Sequence, residues 1–114
     1  MRLLLLGASG QLGHALRREL PRLGEMACAT RSGMLPDGTP CETADLDRPD
    51  ALARLVGRLA PDVVVNAAAY TAVDRAEQER DAAFRANGEA PGALAHACAR
   101  HGALLVHYST DYVF

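Results

Sequence analysis

Lysine is missing from all 114 residues, so the 12 basic side chains are arginines. Chemistry that needs a lysine amine is therefore outside this stretch, including the G-K-[ST] lysine of a mononucleotide P-loop. Positive charge is not in excess either. The balance of -2 disfavours a nucleic-acid partner. No apolar run approaches the roughly 18 residues of a membrane span, and the N-terminal leucines are too few and lack the cleavage site of a signal peptide. Cysteine is sparse: Cys28, Cys41 and Cys98 are odd in number and form no C-x-x-C. That usage fits a reduced, cytoplasmic setting, with each thiol read as a small buried or incidental residue. His96 and His101 are five apart and do not share a helical face, and no H-E-x-x-H occurs, so no metal site is expected. His14 is expected to face solvent or an interface, and His107, inside an apolar run, to be a packed strand residue.

What is present is 49% hydrophobic and 23% charged, enough for one core and typical of a soluble globular domain. The chain opens Arg2-Leu3-Leu4-Leu5-Leu6-Gly7-Ala8-Ser9-Gly10-Gln11-Leu12-Gly13. A continuous leucine run reads as a parallel strand buried on both faces. Gly7 lets the chain reverse at its end, Gly10 removes a side chain where a pyrophosphate comes close, and Gly13 lets the next helix pack near the sheet. The first helical N–H groups, from Gln11 and Leu12 onward, then point at phosphate. This is the opening of a dinucleotide-binding domain, and G-x-x-G-x-x-G at an N-terminus resembles the extended short-chain dehydrogenase/reductase pattern.

Leu12, Leu16, Leu20 and Leu23 continue at helical spacing, with Gly24 as the expected C-terminal cap. Met26 to Thr30 predicts a second strand, Arg31 to Pro40 a Gly/Pro-rich loop, and Cys41 to Thr43 a weak third strand. Asp47-Arg48-Pro49-Asp50 predicts a helix start with Asp47 as N-cap, and Leu52, Leu55, Val56 and Leu59 its core face. Asp62 to Asn66 is a buried β-branched strand with Asn66 at the edge where ligands belong. Thr71 to Arg100 reads as helical with a break near Asn87-Gly88, and burial is expected at Leu94, Ala97 and Cys98. After Gly102, Ala103 to Ser109 predicts a last strand. The order β-α-β-β-α-β-α-β gives a single α/β domain over residues 1–114, a doubly wound parallel sheet of Rossmann type.

Two further segments, Asn66-Ala67-Ala68-Ala69-Tyr70-Thr71-Ala72-Val73-Asp74 and Tyr108-Ser109-Thr110-Asp111-Tyr112-Val113-Phe114, are more specific than the glycines. With Gly7 to Gly13 they closely resemble the dTDP-4-dehydrorhamnose reductases, a resemblance that runs over essentially the whole chain. The resemblance implies reduction of the 4-keto group of dTDP-6-deoxy-L-lyxo-4-hexulose by NADPH or NADH, a small nucleotide-sugar substrate and a homodimer of the longer protein. It assigns Ala69, Tyr70, Thr71 and Tyr108 to the cofactor, Asp45 and Leu46 to the adenine, and Asp111 to the substrate. Thr110 matches the Ser/Thr of the Ser/Thr-Tyr-Lys catalytic set, where its hydroxyl would stabilise oxyanion character on the substrate carbonyl. The small side chains of Ala67, Ala68 and Ala69 leave room for ribose.

Cofactor choice is legible at the second strand, where an acid would accept bonds from a ribose 2'-hydroxyl and an arginine would accommodate a 2'-phosphate. Thr30-Arg31-Ser32 stands there, so NADPH is the expected cofactor. Two features depart from the family. A Y-x-x-x-K pair is lacking, since neither Tyr108 nor Tyr112 has a lysine four residues on, and the chain is therefore expected to be the N-terminal portion of a longer enzyme, its sheet incomplete at the C-terminus and inactive alone. Some family members bridge a dimer through Mg2+ with an acid in the first helix, where this chain has Ala15, which places Mg2+ in doubt. The cofactor half is also compatible with another nucleotide-sugar reductase or epimerase, or with a non-catalytic NADP-binding regulatory subunit.

Overall fold

The computed structural model describes residues 1–45, 48–68 and 90–108. Five parallel strands carry the described fold: β1 (Arg2–Leu6), β2 (Glu25–Thr30), β3 (Glu42–Thr43), β4 (Val63–Asn66) and β5 (Leu104–His107), in the spatial order β3-β2-β1-β4-β5. Helices α1 (Gln11–Glu19), α2 (Pro49–Leu59) and α3 (Ala90–His101) lie between them. The α/β doubly wound reading holds. The chain winds outward from β1 through β2 and β3, then crosses back to β4 and β5, so the order reverses between β1 and β4.

β1 is the sheet's centre because leucine fills both of its faces. Leu3 to Leu6 are no more than 2% exposed. Successive side chains point to opposite faces, and the packing follows that period. Leu4 and Leu6 join Ala29, Leu52, Leu55, Val56, Val64, Leu94, Ala97 and Cys98 under α2 and α3. Leu5 joins Ala8, Val65 and Ala67 on the other face, with Leu12, Leu16 and Leu20 of the α1 segment packed against them. The predicted core faces of α2 and α3 are thereby found, with Leu59 at the margin.

Several boundaries differ from the sequence reading for identifiable reasons. α1 ends at Glu19 and becomes a 3-10 turn over Leu20–Arg22, because Pro21 has no N–H with which to continue the i→i−4 ladder. Leu23 consequently leaves the apolar face and is 57% exposed. Gly24 does not cap α1 itself; it follows the 3-10 turn immediately before β2, and a Cβ there would overlap the carbonyl oxygen of Met1. α2 has Arg48, not an aspartate, at its N-cap, with no side-chain capping bond, and Pro49 occupies the first turn. The 31–40 loop is a small excursion closed by a Met34–Pro40 bridge. β5 is shorter than predicted and lies at the sheet's edge, with Leu104 63% and Val106 37% exposed. The predicted break at Asn87-Gly88 lies outside the described residues.

Helix ends show a contrast that bears on stability. After α3, Gly102 takes the left-handed conformation at φ 70°, and the Ala103 N–H reaches back to the Cys98 carbonyl at 2.8 Å. That is the glycine-terminated helix end. After α2 the same conformation falls on Ala60, at φ 47°. A side chain in this region costs roughly 1–2 kcal/mol, against which glycine's extra freedom in the unfolded chain counts by about 0.4–1 kcal/mol. Ala60→Gly is therefore expected to stabilise the fold by up to about 1 kcal/mol, read as a raised urea midpoint. An unchanged or lowered midpoint would contradict the strain.

Candidate functional site

All five strands point the same way, so their C-terminal ends gather along one edge, and the reversal between β1 and β4 opens a crevice there. Gly7 leaves β1 at φ 77°. Its N–H and that of Ala8 both donate to the Ala29 carbonyl of β2, at 3.1 and 3.2 Å. A Cβ on Gly7 would lie 2.5 Å from the Ala68 nitrogen, so only glycine lets the β1 and β4 ends come this close. One on Gly13 would overlap the Gly7 carbonyl oxygen. α1 thus crosses directly over the end of β1.

The first turn of α1 has the character of an anion cradle. Gly10 stands at its N-cap in extended conformation with no side-chain capping bond, and the first turn contains no acid. Its free N–H groups and positive dipole end lie beside the end of β1, where an anion is favoured. Gln11 is exposed at this opening, while Leu12 anchors the helix to the core beneath it. The residues present therefore fit a dinucleotide's phosphates.

On the β4 side the buried Asn66 fixes the crevice wall. Its Oδ1 accepts the Ala68 N–H at 3.1 Å, which leaves Nδ2 to donate to His107 Nδ1 at 3.0 Å. That donation needs a neutral imidazole with its proton on Nε2. The Asn66 carbonyl accepts the Tyr108 N–H at 3.1 Å, and Tyr108 packs against the Leu5, Ala8, Val65 and Ala67 cluster. His107 is accordingly an exposed edge residue paired to Asn66, not the packed strand residue expected. Sequence reasoning located Asn66 at the ligand edge without finding its carboxamide's work; a buried asparagine closing a β-branched strand was the available signal.

At the β2 side, Thr30 departs from expectation. It is 2% exposed. Its Oγ1 accepts the N–H groups of Gly33 and Met34, each at 3.0 Å, and donates to the Met34 carbonyl at 2.9 Å. The hydroxyl shapes the loop that carries its neighbours, and Arg31 and Ser32 are the exposed members of the predicted trio. Arg31 Nε lies 3.7 Å from Asp45 Oδ2, so residues read separately as phosphate and adenine contacts stand beside each other. Leu46, Ala69, Tyr70, Thr71, Thr110 and Asp111 lie outside the described residues.

Among the described residues no group of three His, Cys, Asp or Glu side chains is placed to hold a metal ion, and Ala15 is exposed on α1. No described helix is long and apolar enough to cross a membrane.

A sequence model of the RmlD substrate binding domain matches residues 1–114, the whole chain. The chain belongs to this family. Across 114 residues it is 53% identical to a dTDP-4-dehydrorhamnose reductase of Burkholderia thailandensis, all of this chain aligning with 35% of that protein. Its fold is similar to the crystal structure of a hypothetical dTDP-4-dehydrorhamnose reductase from Sulfolobus tokodaii, at TM-score 0.81 and 38% identity, covering 100% of this chain and 41% of that one. It is also similar to the Bacillus anthracis dTDP-4-dehydrorhamnose reductase solved in complex with NADP, at TM-score 0.77 and 34% identity, covering 99% of this chain and 37% of that one. The chain spans about a third of the length of the curated relatives it matches.

Within this family arrangement, Asn66 is the residue whose removal tests the wall of the crevice. Asn66→Ala leaves the Ala68 N–H without its acceptor, at a cost of about 1–3 kcal/mol, seen in the urea midpoint. A loss below about 0.5 kcal/mol would mean that the carboxamide does not hold the loop.

Proposed function

We propose that this chain is the cofactor-binding portion of an NADPH-dependent dTDP-4-dehydrorhamnose reductase, reducing the 4-keto group of dTDP-6-deoxy-L-lyxo-4-hexulose to give dTDP-L-rhamnose. The observation that carries this reading is the whole-chain match to the family, over a fold whose reversal point is formed by Gly7 and Gly13. The open first turn of α1 would receive the pyrophosphate, and Tyr108, with Ala69, Tyr70 and Thr71, would line the nicotinamide half. Bound there, the cofactor would supply hydride to the substrate's C4. Thr110, just past the end of β5, would donate its hydroxyl hydrogen to the C4 carbonyl oxygen and stabilise charge developing on it. Asp111 would contact the sugar. The longer protein would supply the tyrosine and lysine for proton delivery and the rest of the substrate pocket, act in the cytoplasm, and form a homodimer without the Mg2+ bridge of some relatives.

The preference for NADPH follows from a comparison of magnitudes. The Arg31 side chain is 55% exposed and that of Asp45 23%, so their ion pair is screened by water. Pairs of this kind contribute about 0–1 kcal/mol. Hydrogen bonds to a charged group contribute about 1.5–3 kcal/mol each, and a guanidinium can make two to one phosphate. A dianionic 2'-phosphate, able to take two parallel bonds from one guanidinium, would compete with Asp45 for Arg31. Asp45 and Leu46 would flank the adenine, an assignment carried by the resemblance.

The test is NADPH oxidation by the full-length protein with the dTDP-4-keto sugar. Turnover is expected; saturable NADPH binding without turnover would sink the reductase while sparing the fold. In the same protein Arg31→Ala should weaken NADPH by at least about tenfold and leave NADH within about twofold. Equal losses for both nucleotides would refute the 2'-phosphate assignment.

A further inference from the structure

Two of the three thiols lie side by side at the edge of the sheet. β2 and β3 run parallel with Ala29 opposite Glu42 and Thr30 opposite Thr43, and Cys28 and Cys41 are the residues that immediately precede this paired stretch on the two segments. In a parallel pair such partners share a face. That face is fixed independently: Cys28 packs with the α1 cluster, and Cys41 Sγ lies 3.5 Å from Thr30 Oγ1, whose residue is two beyond Cys28 on the same side of β2. Both cysteines are half-buried, and both line one open pocket together with Leu35 and Pro40. The paired residues that follow them sit at the ordinary strand spacing of about 4.8 Å, which keeps the two segments close at the cysteines, and a disulfide tolerates Cα separations of roughly 4.4–6.8 Å. Cys98 lies in the core on the opposite face.

We propose that Cys28 and Cys41 are a redox-active dithiol, which a hydroperoxide closes into an intramolecular disulfide across the base of the 31–40 loop. Burial pushes the Cys28 thiol up, with nearby Arg17 only partly offsetting it, which disfavours Cys28 as the first thiolate and assigns the first attack to its neighbour in the shared pocket. The Cys41 thiolate sulfur takes one peroxide oxygen as the O–O bond breaks, giving a sulfenic acid and a hydroxide that takes up the proton the thiol had released, the first water. The Cys28 sulfur then displaces that oxygen, and its proton leaves with the hydroxyl as a second water. Two thiols are oxidised by two electrons and one hydrogen peroxide is reduced to two waters. Cytosolic disulfides of this kind are typically transient and redox-sensing.

The experiment is hydrogen peroxide treatment of the full chain, followed by alkylation in denaturant, thiol counting and tryptic mass mapping. Cleavage after Arg31 separates the two cysteines, so the disulfide joins two peptides that otherwise run apart. Free thiols are expected to fall from three per chain to one, with Cys98 the survivor and dithiothreitol restoring all three. Cys28→Ser and Cys41→Ser should each abolish the joined mass. Three thiols after treatment would overturn the proposal, as would oxidation to unlinked acids, a bond involving Cys98, or linkage only between chains. None of these readouts involves nucleotide binding, so the outcome is independent of the proposed reductase activity.

Discussion

The fold turns on the crossing of three backbones at Gly7. The end of β1, the start of α1 and the loop after β4 meet where neither Gly7 nor Gly13 has space for a methyl group. Backbone is the least compressible partner in a packed interior, since it cannot change rotamer to make room. The approach is held by bonds on both sides: Gly7 and Ala8 to Ala29 of β2, Ala67 to Leu6 at 3.0 Å, and Ala68 to the Asn66 carboxamide. Without this close approach α1 could not cover Leu5 and Val65, and its first turn would not open into the crevice.

Much of this was legible because one physical requirement dominated each segment. β1 must be apolar on both faces, and a run of four leucines ended by Gly7 meets that demand. In α2 the spacing of Leu52, Leu55 and Val56 matched the helical repeat, and all three are buried. Where two requirements competed, the local pattern misled. Leu23 kept the helical spacing of Leu12, Leu16 and Leu20, but Pro21 ended the helix before that spacing could place it inside. Ala60 carries a left-handed cap that composition gives no reason to expect, because helix geometry and the turn into β4 decide it.

The site shows the same division at finer scale. Glycine positions were readable because each states a steric demand on its own. Polar residues were not, because a hydroxyl or carboxamide can serve a ligand or the backbone, and sequence cannot tell which. Thr30 serves the loop, through three short bonds to Gly33 and Met34. Asn66 serves the wall, and His107, apolar in context, is held at the surface by it. Arg31 and Asp45, 14 positions apart, meet only because the loop between β2 and β3 folds back on itself.

Parallel pairing explains why so many of these residues converge. Each strand delivers its following residue to the same edge: Gly7 from β1, Arg31 from β2, Ala67 from β4 and Tyr108 from β5. An antiparallel strand would send its exit to the far edge. Register matters equally, since a one-residue slip exchanges the faces of a strand. The pairing of Ala29 with Glu42 sends Glu42 toward Arg58 of α2, where the two make paired bonds at 2.6 and 3.2 Å. The neighbouring positions, Cys41 and Thr43, must then face the α1 side with Cys28 and Thr30. The surface salt bridge contributes little energy of its own, but it marks a register that leaves the thiol pair and the loop-shaping hydroxyl on one face, beneath the segment that presents Arg31.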